Sequence, residues 1–195
     1  MRRYPDYAAA ENAAYRLILE RGAGLPALPV RPMALLRARA RLLPYDEAAE
    51  QLGLTQEDFE RSLGRAEAFT VRQGDACLVC YRADGNPARL NFTLAHELGH
   101  ILLKHAGGPA DEREADHFAS CLLVPEPARR RLLARPELTA EDAAALCYVS
   151  VAAARMAMRR RETAADKALL DALDALLAPQ VEAVRPGPGA HPLRL

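Results

Sequence analysis

The chain has 195 residues, half of them hydrophobic, and its 26 basic and 26 acidic residues give a formal net charge of zero. The length fits one domain, or one domain with a small helical addition, and the balanced charge argues against a dedicated binder of nucleic acid. Polar residues interrupt the N-terminus where a signal peptide would be apolar, and no apolar run reaches membrane-spanning length. We therefore expect a cytoplasmic protein with no membrane partner and with reduced cysteines.

The first third of the sequence predicts short helices separated by connectors rich in proline and glycine. An apolar stripe from Ala10 to Ile18 indicates a helix over residues 6–21, which the glycines that follow end. Thr55 and Asp58 have the spacing of a capping box. Beyond the first helix, the pattern predicts a helix over 33–39, a strand over 39–45, and helices over 46–52 and 55–63.

Residues 66–82 have the pattern of a β-hairpin. Its strands are predicted over 66–72 and 76–82, with a turn at Gly74. This hairpin would supply a small antiparallel sheet just before the next helix. The edge of such a sheet can hold an extended peptide by strand addition.

The cysteines do not form a recognisable metal-binding pattern. Cys77 and Cys80 form a C-x-x-C pair within the second strand, where residues three apart point to opposite faces. We interpret both as core cysteines rather than as a second metal site. Cys121 and Cys147 fall in apolar helical patterns and receive the same interpretation.

The residues with the most specific chemistry lie in one predicted helix. Residues 91–105 read NFTLAHELGHILLKH, and His96, Glu97 and His100 form the pattern H-E-x-x-H. Residues four apart on a helix lie on one face, so both histidines can bind one metal ion. Glu97 lies beside that ion as a candidate general base, and the pattern leaves room for a third ligand.

The same stretch has ordinary signals for helix ends. Asn91 or Thr93 can cap its start, and two glycines followed by Pro109 end it. Gly99 costs roughly 1 kcal/mol relative to Ala in a helix, which suggests that another backbone or a substrate approaches closely there. The alternative, two histidines on an ordinary amphipathic helix, requires all of these signals to coincide by chance.

The segment after Pro109 offers a third metal ligand. Glu112 and Asp116 share one helical face, so Glu112 can bind the metal while Asp116 accepts the free ring N–H of a ligand histidine. Glu114 lies on a different face and remains the alternative ligand. An acidic first turn that only complements the helix dipole would look similar, but this one closely follows a complete H-E-x-x-H.

Two stretches of this region resemble one known family. FTLAHELGHILLKH, followed by EREADHFAS and then LLVP, is similar to the ImmA/IrrE metallo-endopeptidases. The resemblance implies a zincin-like domain with a gluzincin-like site, in which His96, His100 and Glu112 bind Zn²⁺ and Glu97 is the catalytic base. Mn²⁺ or Fe²⁺ can replace zinc in the cell, because metal choice also depends on availability.

The resemblance also implies a substrate. It points to limited cuts in a transcriptional repressor of the helix-turn-helix type, which would relieve repression of stress or mobile-element genes. The sequence shows no helix-turn-helix domain before the protease region, so a DNA-binding partner would be a separate chain. The alternatives are a non-catalytic zinc-containing regulator and a toxin–antitoxin-like partner that acts by binding protein or DNA. The intact Glu97 argues against the first, because a structural metal site needs no base.

Several polar residues near this region have open roles. His105 follows His100 by five residues on a helix that the pattern continues, so we interpret it as a helix-end or packing residue. The sequence does not identify the donor that stabilises the developing oxyanion. Tyr81, Tyr148 and His117 are candidates.

Residues 126–178 have an all-helical pattern. Thr139 with Asp142 resembles a capping box, and Ser150 can cap the helix that follows it. This helix-turn-helix-like arrangement ends in basic residues, yet its small and apolar residues favour packing, and direct DNA binding is disfavoured. A last amphipathic helix is predicted over 166–177.

Taken in chain order, these patterns predict an α+β fold. A zinc metallopeptidase domain with a small antiparallel sheet is predicted at 1–125. A C-terminal helical, helix-turn-helix-like subdomain is predicted at 126–180. Residues 181–195, rich in proline and glycine, are predicted to be a disordered tail.

Overall fold

A computed structural model describes residues 4–20, 26–63, 66–161 and 165–187. Within these ranges the chain forms ten helices and three strands. In chain order they are α1 (Tyr7–Glu20), α2 (Pro32–Arg37), β1 (Arg41–Pro44), α3 (Tyr45–Gln51), α4 (Gln56–Leu63), β2 (Ala68–Gln73), β3 (Ala76–Tyr81), α5 (Pro87–Leu102), α6 (Pro109–Leu123), α7 (Glu126–Leu133), α8 (Ala140–Cys147), α9 (Val151–Met158) and α10 (Lys167–Glu182). The glycines expected to end the first helix and the last part of the expected tail lie outside the described residues.

The mixed helix and strand composition confirms the α+β class, and two of the predicted helix caps are confirmed in detail. Thr139 Oγ1 accepts the Asp142 N–H at 3.1 Å, while the Asp142 carboxylate accepts the Thr139 N–H at 2.9 Å, which completes a capping box. Ser150 Oγ accepts the Ala153 N–H at 3.1 Å and caps α9. These caps satisfy N–H groups at the starts of the short helices α8 and α9, which also pack into the core.

The sheet is mixed, so the prediction of a purely antiparallel sheet is wrong. β2 and β3 pair antiparallel, as the hairpin pattern indicates, with Thr70 opposite Val79. β1 pairs in parallel with the other edge of β3, with Leu42 opposite Val79. A parallel neighbour needs a connection of a dozen or more residues, and the chain supplies it through α3, α4 and β2. The strand order β1–β3–β2 leaves β2 at the sheet edge.

The sheet separates two hydrophobic clusters, because successive side chains of a strand point to opposite faces. Val79 lies in the large core, which also takes in buried residues of α1, α5 and α6. Cys80, one residue on, lies in a small cluster with Tyr45 and Phe59 of the α3–α4 segment. α5 therefore lies on the large-core side of the sheet, and α3 and α4 lie on the other side.

The cysteines are unpaired, and three of the four are buried. Cys121 and Cys147 lie in the large core, as predicted. Cys77 is only half-buried, so the core interpretation is wrong for this residue. Cys77 shares the face of Val79, and its exposure follows from its place near the hairpin end of β3, where burial falls on both faces.

Close packing of α5 against α6 depends on Gly99. A Cβ at this position would lie 3.0 Å from Phe118 Cδ1 and 3.3 Å from Ala115 Cα. The close backbone approach that the sequence suggests at Gly99 is confirmed, and the approaching backbone is that of α6. Because α6 also packs against α1 on another side, its position relative to α5 is fixed, and its first turns lie beside the two histidines.

The four C-terminal helices, α7 to α10, each contribute buried apolar residues to the same large core. α10 packs on α7, where Arg131 forms a two-point ion pair with Asp174 at 2.6 and 2.7 Å. α10 continues past its predicted end and through Pro179 to Glu182. None of the described helices combines the length and the apolar character needed to cross a membrane.

Candidate metal centre

The two histidines lie on α5, which begins more than one turn earlier than predicted. Asn86 is the cap, and its side-chain oxygen accepts two N–H groups of the first turn at 3.0 and 3.1 Å. The predicted caps Asn91 and Thr93 are therefore wrong. Asn91 lies inside the helix and donates from Nδ2 to the Tyr148 carbonyl at 3.1 Å. The earlier start leaves the register of H-E-x-x-H unchanged.

The structure brings His96, His100 and Glu112 together. The Nε2 atoms of the two histidines lie 2.9 Å apart, and Glu112 oxygens lie 3.4 Å from His96 Nε2 and 3.5 Å from His100 Nε2. A tetrahedral metal with bonds of about 2.0–2.1 Å spaces its neighbouring donor atoms about 3.3 Å apart. The three side chains therefore fit one metal ion and leave a fourth coordination position for water or substrate.

Glu114, the alternative ligand, lies on the opposite, buried side of α6. Its Oε2 is 2.9 Å from His105 Nε2, and its Oε1 accepts the Asp6 N–H at 2.6 Å. The predicted separation of Glu112 and Glu114 onto different faces of α6 is what the structure shows. Among the carboxylates weighed in the sequence, Glu112 is the one that accompanies the two Nε2 atoms.

Asp116 lies one turn after Glu112 and holds the ring of His96. Its Oδ1 is 2.9 Å from His96 Nδ1. Burial is the largest influence on the pKa of His96 and lowers it, but Asp116 and then the carboxylates of Glu97 and Glu112 raise it overall. A proton held at Nδ1 by Asp116 leaves the Nε2 lone pair for a metal.

Glu97 lies beside this cluster and is itself almost buried. Its Oε2 accepts a hydrogen bond from Thr70 Oγ1 of β2 at 2.5 Å. Burial raises the pKa of Glu97, and the opposing effects of Thr70 and His96 do not cancel that rise. Sequence reasoning missed Thr70, because nothing in its local pattern shows that the edge strand lies against the glutamate of α5.

His105 has a different position from the predicted one, because α5 does not continue to it. The helix ends at Leu102, and Lys104 adopts a left-handed conformation with φ of 54°. The Lys104 N–H bonds to the Ile101 carbonyl at 3.3 Å and the His105 N–H to the His100 carbonyl at 3.1 Å. This is the Schellman pattern of helix ends. It turns His105 back against His100 instead of placing it further along the helix.

The candidate metal ligands and Glu97 line a cleft of about 520 Å³ between α5, the start of α6 and β2. Arg72 of β2 also lines it, with its guanidinium 3.4 Å from the His100 and Ile101 carbonyls at the end of α5. A cation at that position complements the helix dipole. The cleft therefore combines a metal-ligand set, a buried carboxylate, a cation and a strand edge.

The candidate oxyanion donors lie elsewhere in the described chain. Tyr81 is buried in the large core. Tyr148 lies beneath the Arg31 guanidinium, 4.7 Å from ring centroid to cation. His117 lines a separate groove, and burial followed by the charge of Arg160 lowers the pKa of His117 to about 4. None of the three is in the described lining of the cleft.

A helix-borne H-E-x-x-H with a third carboxylate from the next helix defines a metallopeptidase of the zincin type. The family model Peptidase_M78, the IrrE N-terminal-like domain, matches residues 49–159, which is more than half of the chain. The chain belongs to this family and is a metallo-endopeptidase, which confirms the resemblance to the ImmA/IrrE proteins. The comparison with curated proteins finds no match.

The family implies a metal, and the matched residues include all of the candidate site, from Thr70 to Asp116. The donor set described above fits such an ion by its spacing and by its chemistry, since two imidazole nitrogens and a carboxylate oxygen share one point. His100 is also suited to this role, because burial and then His96 lower its pKa and favour the neutral ring that binds a metal.

Proposed function

We propose that this chain is a zinc-dependent endopeptidase that makes limited cuts in a transcriptional repressor of the helix-turn-helix type. Such cuts would relieve repression of stress or mobile-element genes. One observation carries the proposal: two histidine nitrogens and a glutamate oxygen converge beside a second, buried glutamate at the edge of a sheet. A structural metal site is closed by protein ligands and has no use for that second glutamate.

Zinc is the metal that suits these donors best. Two imidazole nitrogens and one carboxylate oxygen are a ligand set of catalytic zinc sites, which keep one position for the reaction. Zinc, when bound, supplies a Lewis acid that activates water and polarises the peptide carbonyl. Mn²⁺ or Fe²⁺ suits the same donors, so the metal carried in the cell also depends on supply.

Glu97 acts as the general base in this proposal. Thr70 holds its Oε2 at 2.5 Å, which leaves Oε1 to take a proton from the attacking water. The pKa of Glu97 is raised by burial, so the carboxylate accepts a proton more readily than an exposed glutamate and can then deliver it to the leaving amine. Thr70 thus sets the orientation of the base, and α5 sets its distance from the ligands.

The edge strand supports an extended segment as substrate. β2 is hydrogen-bonded to β3 on one side only among the described strands, and Thr70 at its centre reaches Glu97. An extended peptide can add to such an edge through its main chain. A folded repressor offers an extended segment only at a linker or loop, which is why we expect a few discrete cuts rather than general degradation.

The C-terminal helices support a protein substrate more than direct DNA binding. Among the arginines at the end of α9, Arg160 already donates to Ser120 Oγ at 2.8 Å and to the Val124 carbonyl at 2.9 Å. Its guanidinium therefore anchors the end of α9 to α6. The chain is also neutral overall, whereas nucleic-acid binders usually carry a basic surface.

The test is co-expression with the helix-turn-helix repressor encoded nearest to this gene. The wild type should convert the repressor into discrete fragments on a gel and relieve a reporter under its control. Glu97→Gln keeps the size of the side chain but cannot accept the proton, so cleavage should fall by roughly 10²–10⁴-fold. Zinc content should remain at about one ion per chain, because Glu97 is not one of the converging donors.

Two outcomes would contradict the proposed function, each in a different way. Relief of repression by Glu97→Gln with the repressor intact would mean that the chain acts by sequestration, as a non-catalytic regulator or a toxin–antitoxin-like partner. A repressor that stays intact and active with the wild type would show that the substrate is another protein. A gel shift with the reporter operator separates either result from direct DNA binding by this chain.

A further inference from the structure

His105 and Glu114 lie behind His100, on the side away from the converging donors. His100 Nδ1 is 3.0 Å from His105 Nδ1, and His105 Nε2 is 2.9 Å from Glu114 Oε2. These contacts form a chain from a candidate ligand through a second imidazole to a carboxylate. The site described above does not use this chain, and the sequence predicts His105 to be a helix-end or packing residue.

The proton positions along this chain follow from what each atom can donate or accept. If His100 binds a metal through Nε2, its proton is on Nδ1, and His105 Nδ1 must accept it. His105 can then donate its own proton from Nε2 to Glu114 Oε2. With a metal in place of the 2.9 Å contact between the Nε2 atoms of His96 and His100, this arrangement satisfies every contact in the chain. Reversing it would place a proton on His100 Nε2, where no metal could bind.

We propose that His105 and Glu114 are positioning residues that hold His100 in the tautomer and orientation required for metal binding. The proposal rests on His100 being a ligand in the proposed zinc site. Histidine ligands commonly donate their second N–H to a carboxylate or carbonyl. Here a second histidine relays that support, because His100 Nδ1 contacts His105, and His105 in turn contacts Glu114.

Burial makes this support hard to replace with water. The side chains of His105 and Glu114 are 1% and 4% exposed, whereas that of Asp116, which supports His96, is 61% exposed. Water can take the place of Asp116 at His96 but reaches the His105–Glu114 contact poorly, although His105 also lines the cleft. The buried pair therefore favours one orientation of His100, and His96 remains more adaptable.

The backbone around Glu114 fixes the direction of the chain. Glu114 Oε1 accepts the Asp6 N–H at 2.6 Å, so that oxygen is already committed as an acceptor. A glutamine at position 114 would have to keep its carbonyl oxygen on the Asp6 N–H and turn its NH₂ group towards His105. That group can only donate. It would drive the His105 proton to Nδ1 and the His100 proton to Nε2, which opposes metal binding.

The main test is the Glu114→Gln variant, with zinc affinity measured by competition against a chromogenic chelator. We expect the dissociation constant for zinc to rise by roughly 10–100-fold, as for other outer partners of metal ligands. Spectra of ¹⁵N-histidine-labelled, zinc-loaded protein supply an independent measurement. They should show a His100 Nδ1–H group that is hydrogen-bonded to His105 in the wild type and that loses this bond in Glu114→Gln.

A pair of variants at position 105 separates the relay from simple packing. Asparagine places Oδ1 near the position of the His105 Nδ1 and restores an acceptor for His100, while leucine fills the space without one. We expect His105→Asn to bind zinc within a few-fold of the wild type and His105→Leu to lose roughly 10–100-fold. Circular dichroism and thermal melts identify any variant that fails to fold, and the spectra of zinc-loaded Glu114→Gln then decide.

A His100→Ala variant separates an error in the positioning role of His105 and Glu114 from an error in the metal site itself. If His100→Ala keeps full zinc, the proposed metal site is wrong. If His100→Ala loses zinc while Glu114→Gln and His105→Leu bind it as the wild type does, the site stands and the positioning role is refuted. An unchanged His100–His105 hydrogen bond in the spectra of zinc-loaded Glu114→Gln would refute it as well.

Discussion

Four carboxylates in the first two turns of α6 divide between an exposed face and a buried face. Glu112 and Asp116 are 58% and 61% exposed and reach His96 from the solvent side. Asp111 and Glu114 are buried, each 3% exposed. Asp111 accepts the N–H groups of Ala106 and Gly107 in the turn before α6, at 3.1 and 2.9 Å. The same residue type on one helix therefore serves two different tasks.

The difference shows how exposure suits each task. A carboxylate that gains a metal ion benefits from remaining hydrated, because its charge then costs little when the metal is absent. A buried carboxylate must have fixed donors in every state, or its burial would destabilise the fold. The exposed face should therefore control metal binding with little effect on folding, and the buried face should control both.

The largest expected effect is on the exposed face. Glu112→Ala removes one of the three converging donors, so zinc affinity should fall by more than the roughly 10–100-fold typical of outer partners. Because the side chain is 58% exposed, the stability of the metal-free protein should change by only about 0.5 kcal/mol. Chelator competition and urea denaturation of the same sample measure the two quantities. If Glu112→Ala binds zinc as tightly as the wild type, the third ligand is a residue other than Glu112.

Asp116→Ala should have the next largest effect. Loss of the contact to His96 Nδ1, at 2.9 Å, frees the imidazole to rotate and to change tautomer, and zinc affinity or activity should fall by roughly 10–100-fold. Glu141→Ala, an exposed acid of α8, is a control for the lost charge. Equal losses in the two variants would indicate a general electrostatic effect rather than support of His96.

Helix periodicity predicted this division, because i and i+4 spacing alone assigns Glu112 and Asp116 to one face and Glu114 to another. The order of most helices and the hairpin also followed from local patterns. Contacts between elements that are distant in sequence could not be predicted from local patterns. Thr70 meets Glu97 across 27 positions of sequence, and β1 joins β3 only through a long crossover. His105 was misplaced because a lysine, rather than the glycine usual at this position, ends the helix.

Gly99→Ala tests the close packing that brings both faces of α6 into place. Its Cβ would lie 3.0 Å from Phe118 Cδ1 and 3.3 Å from Ala115 Cα. Overpacking of this kind costs about 1–3 kcal/mol, offset by roughly 1 kcal/mol from the better helix propensity of alanine. We expect a net loss of about 1 kcal/mol in the free energy of unfolding, with weaker zinc binding as α6 moves away. If Gly99→Ala is more stable than the wild type and binds zinc equally well, the contact between α5 and α6 can accommodate a methyl group at this position.

Lys104→Gly should have the smallest effect, and it isolates the turn that places His105 beside the buried face of α6. Lys104 has φ of 54°, a conformation that disfavours every side chain with a Cβ by about 1–2 kcal/mol but not glycine. Glycine also gains freedom in the unfolded chain, so we expect a net stabilisation of less than about 1 kcal/mol. Lys104→Ala is the matched control, since it removes the same exposed side chain but keeps the Cβ. Zinc affinity should equal that of the wild type in both variants, because neither changes the contact between His105 and Glu114. A glycine variant less stable than the alanine variant would contradict the left-handed conformation at position 104, whereas an equal loss in both variants would assign the effect to the lysine side chain.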